Sequence, residues 1–262
     1  MTNYKKANKK WWNKVAPIHL YSKYYDLAGF KKGKSSLFPI EKEELGSLNG
    51  KSLLHLMCHF GMDTLSLARL GADVTGVDIS DKSINIAKKI SKELKIPGNF
   101  ICSDVYNLSK ILDKKFDIVF MSYGVLCWLP DMKKFIKLVN RFLKDKGVFY
   151  IVDLHPFTNI LSHDFKIEYS YFEKGPFEDN SEGTYTNWNA DIKSSTYLWS
   201  YTMCELVNTL INEDLRLEYI HEFPHSIYEQ FPGLMRKNKK GLYVFKNKKI
   251  QIPLLFSLKA TK

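Results

Sequence analysis

The fold is decided by two stretches, Ser52-Leu-Leu-His-Leu-Met-Cys-His-Phe-Gly61 and Gly71-Ala-Asp-Val-Thr-Gly-Val-Asp-Ile-Ser80. Each contains a short apolar run that ends in polar residues, and a segment with helical spacing of apolar residues separates the two runs. The same alternation continues to residue 153. It is typical of β-α-β units, so the sequence predicts an α/β fold built on a mostly parallel sheet.

Capping residues and apolar runs extend this pattern along the chain. Asp131 is expected to begin a helix that Gly147 ends, and Thr202-x-x-Glu205 is a capping box in front of an apolar stripe. The runs 215–223 and 252–259 predict a sixth and a seventh strand. Together these elements predict a three-layer sandwich around a seven-stranded sheet.

Two segments, 1–50 and 156–200, lie outside this rhythm. Between Phe165 and Tyr201 the chain has ten aromatic residues in 37, Trp188 among them, against a chain average of 14%. The alternations Ile167/Tyr169/Tyr171 and Tyr197/Trp199/Tyr201 predict strands with one aromatic face. That face either packs on the core or encloses a ligand.

Composition excludes several classes of protein. The chain has 262 residues with 39 Lys+Arg and 28 Asp+Glu, and no apolar run approaches the roughly 20 residues of a membrane span. The segment Met1–Lys10 is polar, which excludes a secretory signal there. Four cysteines without a CxxC pair favour a reducing, cytoplasmic setting. All but four of the basic residues are dispersed lysines, which makes nucleic acid an unfavoured partner.

Polar residues follow the predicted strands at the edge where parallel sheets bind ligands. Asp78 ends the second strand, 17 residues after Gly61, and its carboxylate can accept hydrogen bonds from the two hydroxyls of a ribose. The alternative is an N-cap role for Asp78, although Ser80 already fills that position. A cofactor that contains a nucleoside is therefore the first hypothesis.

The order of elements and the residues together resemble the class I S-adenosylmethionine-dependent methyltransferases. The family loop Leu-Asp-Leu-Gly-Cys-Gly-Thr-Gly corresponds to Leu54-His-Leu-Met-Cys-His-Phe-Gly61, in which Cys58 and Gly61 match. Gly71–Ser80 and Cys102-Ser-Asp-Val105 match more closely. The resemblance implies a Rossmann-like methyltransferase fold, with a helical lid over 1–50 and an S-adenosyl-L-methionine-binding domain over 51–262. Residues 156–200 would then supply part of the acceptor site.

The resemblance also implies roles for individual residues. Asp78 would hold the ribose, Ile79 would pack on the adenine, and Asp104 would meet the adenine amino group beside Val105. Asp104 could instead begin a turn with Asn107. The backbone of residues 57–61 would surround the methionine portion. The cofactor-binding set predicted in this way is Tyr24, Tyr25, Met57, Cys58, His59, Gly61, Asp78, Ile79, Asp104, Val105 and Ser122.

Departures from the family loop affect the methionine portion most. His55 replaces the family's acid and brings no negative charge, while Met57 and His59 replace glycines that tolerate positive φ. We expect Tyr24 and Tyr25 to fold over from the N-terminal segment and supply other contacts. That segment contains Trp11-Trp12-Asn13 and is interpreted either as a lid or as a helix packed on the sheet edge.

The predicted function is transfer of a methyl group from S-adenosylmethionine to a small-molecule acceptor. A base near neutral pKa assists if the acceptor is a hydroxyl, thiol or protonated amine, and the candidates are His155 and Tyr123. The alternatives are an inactive cofactor-binding protein, an RNA methyltransferase and, less favoured because its loop glycines are missing, a dinucleotide oxidoreductase. His55, Cys58 and His59 are metal-ligating types, but alternate strand residues diverge, so no metal site is predicted.

Overall fold

A seven-stranded sheet forms the centre of the protein, seen in a computed structural model that describes residues 3–187, 189–193 and 195–262. Its strand order is β3-β2-β1-β4-β5-β11-β8. The first five strands are parallel, and β11 runs antiparallel to both β5 and β8. This confirms the predicted sheet. The strands are β1 (Ser52–Leu56), β2 (Asp73–Asp78), β3 (Asn99–Cys102), β4 (Phe116–Ser122), β5 (Leu143–Leu154), β6 (Phe177–Asp179), β7 (Thr196–Leu198), β8 (Arg216–Phe223), β9 (Met235–Lys237), β10 (Tyr243–Phe245) and β11 (Leu255–Thr261).

Helices connect the parallel strands and precede the sheet. Short 3₁₀ turns cover Val105–Lys110, Leu126–Trp128 and Pro156–Ile160. No helix in the described part of the chain has both the length and the hydropathy needed to cross a bilayer. The α-helices are α1 (Asn3–Leu20), α2 (Leu27–Lys31), α3 (Pro39–Glu44), α4 (Met62–Arg69), α5 (Asp81–Leu94), α6 (Met132–Phe142) and α7 (Met203–Asn212).

The central strands are buried on both faces. Along β4, Val119 and Met121 pack in one apolar cluster, whereas Ile118 and Phe120 pack in another. Alternate strand residues point to opposite faces, so the two clusters lie on opposite sides of the sheet. Helices α6 and α7 contribute to the first cluster, and α3 and α4 contribute to the second. The arrangement is the predicted three-layer sandwich.

Capping residues correctly predicted where α5, α6 and α7 begin, but the sequence did not predict where every helix ends. Ser80, Asp131 and Thr202 each accept a hydrogen bond from a backbone N–H in the first turn of the helix that follows. The prediction that Gly147 ends α6 was wrong, because the helix stops at Phe142. Gly147 instead lies inside β5, where a Cβ would come within 2.8 Å of the Lys144 carbonyl oxygen.

Two predicted strands differ from the structure. The last strand begins at Leu255 rather than at residue 252, since Pro253 lacks an N–H for a ladder hydrogen bond. The stretch 167–171 is not a strand: Ile167 makes one isolated bridge, to Leu161, and is 79% exposed. Among its described residues, the aromatic-rich insertion forms the short antiparallel pair β6–β7 and isolated bridges. Trp188 lies outside the described residues.

Removing a buried ring from α6 should destabilise the protein strongly. Phe135 is fully buried in the cluster beneath the sheet. Phe135→Ala should lower the free energy of unfolding by about 3–5 kcal/mol, through lost burial and the cavity left behind. Urea denaturation measures this change.

The matched control is Phe172→Ala in the insertion, where the ring is 79% exposed. It should change the free energy of unfolding by less than about 0.5 kcal/mol. Equal effects of the two substitutions would contradict the packing described here.

Candidate active site

A cavity of about 1190 Å³ lies at the carboxyl ends of the parallel strands. The ends of β1, β2 and β4 and the residues after β3 form its floor, while α1 and the insertion contribute its roof. Its position is the one at which open α/β sheets bind ligands. The predicted residues that line it are Tyr24, Tyr25, Met57, Cys58, His59, Gly61, Asp78, Ile79, Asp104, Val105, Ser122 and Tyr123.

The loop after β1 keeps the backbone shape that glycines normally provide. Met57, His59 and Gly61 all have positive φ, at 56°, 51° and 76°. For residues with a side chain this conformation costs on the order of 1 kcal/mol each, so surrounding contacts must hold it. The Cys58 amide donates to the Val77 carbonyl at 2.9 Å, and the His59 amide donates to Asp78 Oδ2 at 2.8 Å. The glycine-poor loop is therefore shaped by its neighbours rather than by its own flexibility.

Asp78 ends β2 with its carboxylate in the cavity wall. Oδ2 accepts from the His59 amide and Oδ1 accepts from the Ser80 amide at 2.8 Å. Each carboxylate oxygen can accept more than one hydrogen bond, so the group retains capacity for a ligand. Burial raises the pKa of Asp78 to about 6, so the carboxylate is ionised at neutral pH. Ile79 lies beside it in the wall.

Asp104 follows the end of β3 by two residues and begins the turn that was the alternative role considered for it. Its Oδ1 accepts from the Tyr106 amide at 3.1 Å, and its backbone carbonyl accepts from the Asn107 amide, which forms the expected turn. Its other oxygen is paired with Lys5 of α1. Asp104 and Val105 nevertheless line the cavity, on the same floor as Asp78.

Comparison with known families agrees with this geometry. A family model described as a methyltransferase domain matches residues 54–151, the part of the chain that contains β1 to β4 and most of β5. These residues form a methyltransferase domain. S-adenosyl-L-methionine is the cofactor of this family.

Curated relatives align with about half of this chain. A ubiquinone biosynthesis O-methyltransferase from Coxiella burnetii (strain Dugway 5J108-111) is 31% identical over 140 residues, which are 52% of this chain and 53% of the relative. The protein of the same name from Proteus mirabilis (strain HI4320) is 29% identical over 130 residues, or 48% of this chain and 53% of the relative. The chain thus spans about half the length of the curated relatives it matches.

Solved structures resemble the fold of this chain over nearly its whole length. An S-adenosylmethionine-dependent methyltransferase from Mesorhizobium loti superposes with a TM-score of 0.61 at 18% identity, covering 88% of this chain and 100% of that one. Magnesium protoporphyrin IX methyltransferase from Synechocystis PCC 6803, with bound SAH, gives a TM-score of 0.58 at 15% identity, covering 99% and 100%. At these identities the likeness concerns the fold.

Polar contacts hold helix α1 over the cavity floor, and the sequence did not predict them. The Asn13 side chain accepts from Ser80 Oγ at 2.6 Å and donates to Asp81 at 2.9 Å, at the start of α5. The Asn8 amide group makes two 2.9 Å hydrogen bonds with the backbone of Tyr197 in β7. These contacts join the N-terminal segment, the floor and the insertion into one enclosure.

A cluster of aromatic and imidazole rings fills the roof above the loop. His19 Nδ1 lies 3.1 Å from His59 Nε2, and the two hydroxyls of Tyr25 and Tyr185 are hydrogen bonded to each other. The His19 ring lies 4.6 Å from the Tyr185 ring, measured between centroids. Burial lowers the pKa of His19 to about 3, so the pair is neutral. Sequence analysis missed His19 and the role of Tyr185, because these partners are distant in sequence and follow no local pattern.

His155 is not placed to act as a base. It does not line the cavity and is 5% exposed. Its Nε2 lies 2.8 Å from Glu222 Oε1 on β8, and its Nδ1 accepts from the Phe157 amide at 3.1 Å. Both ring nitrogens are therefore engaged in capping and bracing the turn after β5. The structure therefore places the predicted base His155 away from the cavity wall, where its contacts do not favour proton abstraction.

Tyr123 lines the cavity, but its surroundings do not favour proton abstraction. Its hydroxyl donates to Glu41 Oε2 at 2.7 Å, and burial raises the Tyr123 pKa well above its usual range. The hydroxyl keeps its proton at neutral pH, so Tyr123 is suited to positioning rather than to the role of base. Burial also raises the pKa of Glu41, to about 8.

The residues considered for metal binding are engaged in packing. His55 Nδ1 lies 2.8 Å from Thr64 Oγ1, and burial raises the pKa of the Cys58 thiol well above its usual range. Among residues 3–187, 189–193 and 195–262, no three His, Cys, Asp or Glu side chains are grouped so that they could hold a metal ion.

Glu41 predicts a pH dependence of stability. Its pKa rises from 4.5 in the unfolded chain to about 8 in the fold, so the folded state binds the proton more tightly. This contribution to stability is complete below about 4.5 and is lost as pH rises through about 8. Glu41→Gln should therefore show a smaller decline in the free energy of unfolding than the wild type between these values, measured by urea denaturation at several pH values.

The control for this experiment is Glu43→Gln on the same helix, where the side chain is exposed. Its stability should follow the wild-type pH dependence. A Glu41→Gln curve parallel to that of the wild type would show that this carboxyl does not titrate in the fold.

Proposed function

We propose that this protein transfers a methyl group from S-adenosylmethionine to a small-molecule acceptor held in the same cavity. The observation that carries the proposal is the convergence of the loop after β1, Asp78 and Asp104 on one cavity floor. The match of residues 54–151 to a methyltransferase domain supports the cofactor, and the roof formed by α1 and the insertion supports a small acceptor over a nucleic acid.

The donor set of the cavity suits an adenosyl cofactor. The ionised carboxylate of Asp78 provides acceptors for two vicinal hydroxyls. Ile79 and Val105 provide apolar surface for a base, and Asp104 provides an acceptor for an exocyclic amino group. Ligand sites usually enclose about 300–1,000 Å³, so a cavity of about 1190 Å³ leaves room for an acceptor beside the cofactor.

The chemistry needs little from the protein beyond alignment and exclusion of water. S-adenosylmethionine supplies an electrophilic methyl group on a sulfonium. Tyr24, Tyr25 and Tyr185 place aromatic surface in the cavity, where it excludes water and favours a nearby cation. Tyr123 lines the acceptor side of the cavity, where its hydrogen bond to Glu41 holds its hydroxyl in place. These residues would hold an acceptor in line with the methyl group and keep solvent out.

The part of the cavity wall that lies between residues 228 and 240 supports an acceptor with an apolar body and an acidic group. Tyr228 and Phe231 line it with aromatic surface, and Lys237 and Lys240 line it with positive charge. The curated relatives are named O-methyltransferases, which favours an oxygen as the methylated atom.

Loss of the Asp78 carboxylate should weaken cofactor binding. Asp78→Ala should raise the Kd for S-adenosylhomocysteine by about 10- to 100-fold, because hydrogen bonds to a charged group contribute roughly 1.5–3 kcal/mol. Isothermal titration calorimetry measures the Kd, and circular dichroism checks the fold.

Asp73→Ala is the matched control, at the exposed opposite end of the same strand and paired with Lys114. It should leave the Kd unchanged. An unaltered Kd in Asp78→Ala would place the cofactor elsewhere.

Turnover separates an enzyme from a protein that only binds the cofactor. The protein is incubated with S-adenosylmethionine carrying a labelled methyl group and with an extract of cell metabolites. We expect labelled product from the wild type and a much lower rate from Asp78→Ala. Binding of S-adenosylhomocysteine without any labelled product would favour the binding-protein alternative.

A further inference from the structure

The acid that the family places in the loop after β1 is missing here, and the structure leaves no charge in its place. His55 stands at that position, is 2% exposed and lies against Thr64 of α4. Burial lowers the pKa of His55 to about 3, so the ring is neutral. If S-adenosylmethionine binds in this cavity, its α-ammonium group needs a partner from another position in the wall.

Asp63 offers such a partner. It lies in the first turn of α4, two residues after Gly61, and its side chain lines the cavity. Ser36 Oγ donates to Asp63 Oδ1 at 2.6 Å, and Ser122 Oγ donates to Oδ2 at 3.3 Å. Three segments of the chain therefore fix this carboxylate: the N-terminal segment, α4 and the end of β4.

The charge of Asp63 is only partly compensated by these contacts. Both hydrogen-bond donors are neutral hydroxyls, and Lys42 acts on it only as a more distant charge. Burial raises the pKa of Asp63, which shows that the ionised form is costly without a cation close by. A ligand ammonium would supply that cation.

The other carboxylates in the described cavity wall already have partners or positions that suit other roles. Asp78 and Asp104 stand at the ends of β2 and β3, on the floor assigned to the adenosine. Asp26 is paired with Lys34 at 2.8 Å and caps α2. Asp179 accepts from Ser181 at the outer hairpin. Asp63 is the remaining carboxylate, and it lies in the first turn of α4, directly after the loop 57–61.

We propose that Asp63 binds the α-ammonium group of the methionine portion of the cofactor, with Ser36 and Ser122 holding its carboxylate in place. This assignment rests on the proposed function, since it concerns the same cavity. It makes Asp63 the functional replacement for the acid lost at His55. Because Ser36 belongs to the N-terminal segment, the methionine portion would also help to hold that segment in position.

Three ligands measured by calorimetry test the proposal. S-adenosylhomocysteine carries the ammonium group, its deaminated analogue keeps the carboxylate but lacks the ammonium, and 5′-methylthioadenosine lacks both. In Asp63→Asn we expect the Kd for S-adenosylhomocysteine to rise about 10- to 100-fold, as for the loss of a hydrogen bond to a charged group. The Kd for the two other ligands should change less than about threefold.

The control variant is Asp73→Asn, which makes the same change outside the cavity, at the exposed start of β2. It should bind all three ligands as the wild type does. Equal weakening of all three ligands by Asp63→Asn would assign Asp63 a structural role only and overturn the proposal. An unchanged Kd for S-adenosylhomocysteine would also overturn it.

The wild type alone gives a second test that does not depend on folding of the variant. It should bind the deaminated analogue about 10- to 100-fold more weakly than S-adenosylhomocysteine, and equal affinities would overturn the assignment. Failure of the proposed function looks different, because the wild type would then bind none of the three adenosyl ligands.

Discussion

The carboxylate of Asp78 joins the two segments on which the site depends. One of its oxygens holds the His59 amide and the other holds the Ser80 amide, at 2.8 Å each. The first bond fixes the loop after β1 in a left-handed conformation that its side chains disfavour, and the second fixes the turn into α5. A single acid thus shapes the floor of the cavity before any ligand is present. This explains how Met57 and His59 are held at positive φ, a conformation that glycines adopt more readily.

Part of the inner wall of the cavity is acidic, whereas the chain as a whole is basic. The protein carries a net charge of +11, yet Asp63, Asp78 and Asp104 bring three carboxylates to the inner wall of one cavity. Lys237 and Lys240 lie on the side formed by the C-terminal strands. Negative charge near the adenosyl and methionine portions favours a cationic cofactor, and positive charge on the far side favours an acidic acceptor. Two of the lysines that the sequence shows as dispersed thus line the cavity.

The sequence predicted what local patterns determine. Apolar runs predicted the strands of the central sheet, and the caps at Ser80, Asp131 and Thr202 predicted the starts of α5, α6 and α7. The position of Asp78 at the end of a strand predicted the core of the candidate site. The sequence did not predict the contact between His155 and Glu222. These residues come together only when β11 and β8 join the sheet next to β5. The sequence also did not predict the contact of His19 with His59 or the exposure of Ile167 and Tyr169. Contacts between distant segments depend on tertiary packing, and no short pattern encodes them.

A crystal structure of the protein grown with S-adenosylhomocysteine tests the central claim most directly. The account predicts electron density for the ligand in the cavity at the ends of β1 to β4, with both ribose hydroxyls within hydrogen-bond distance of Asp78 and the adenine beside Ile79. Density for the ligand at another place, or a ribose with no contact to Asp78, would contradict it.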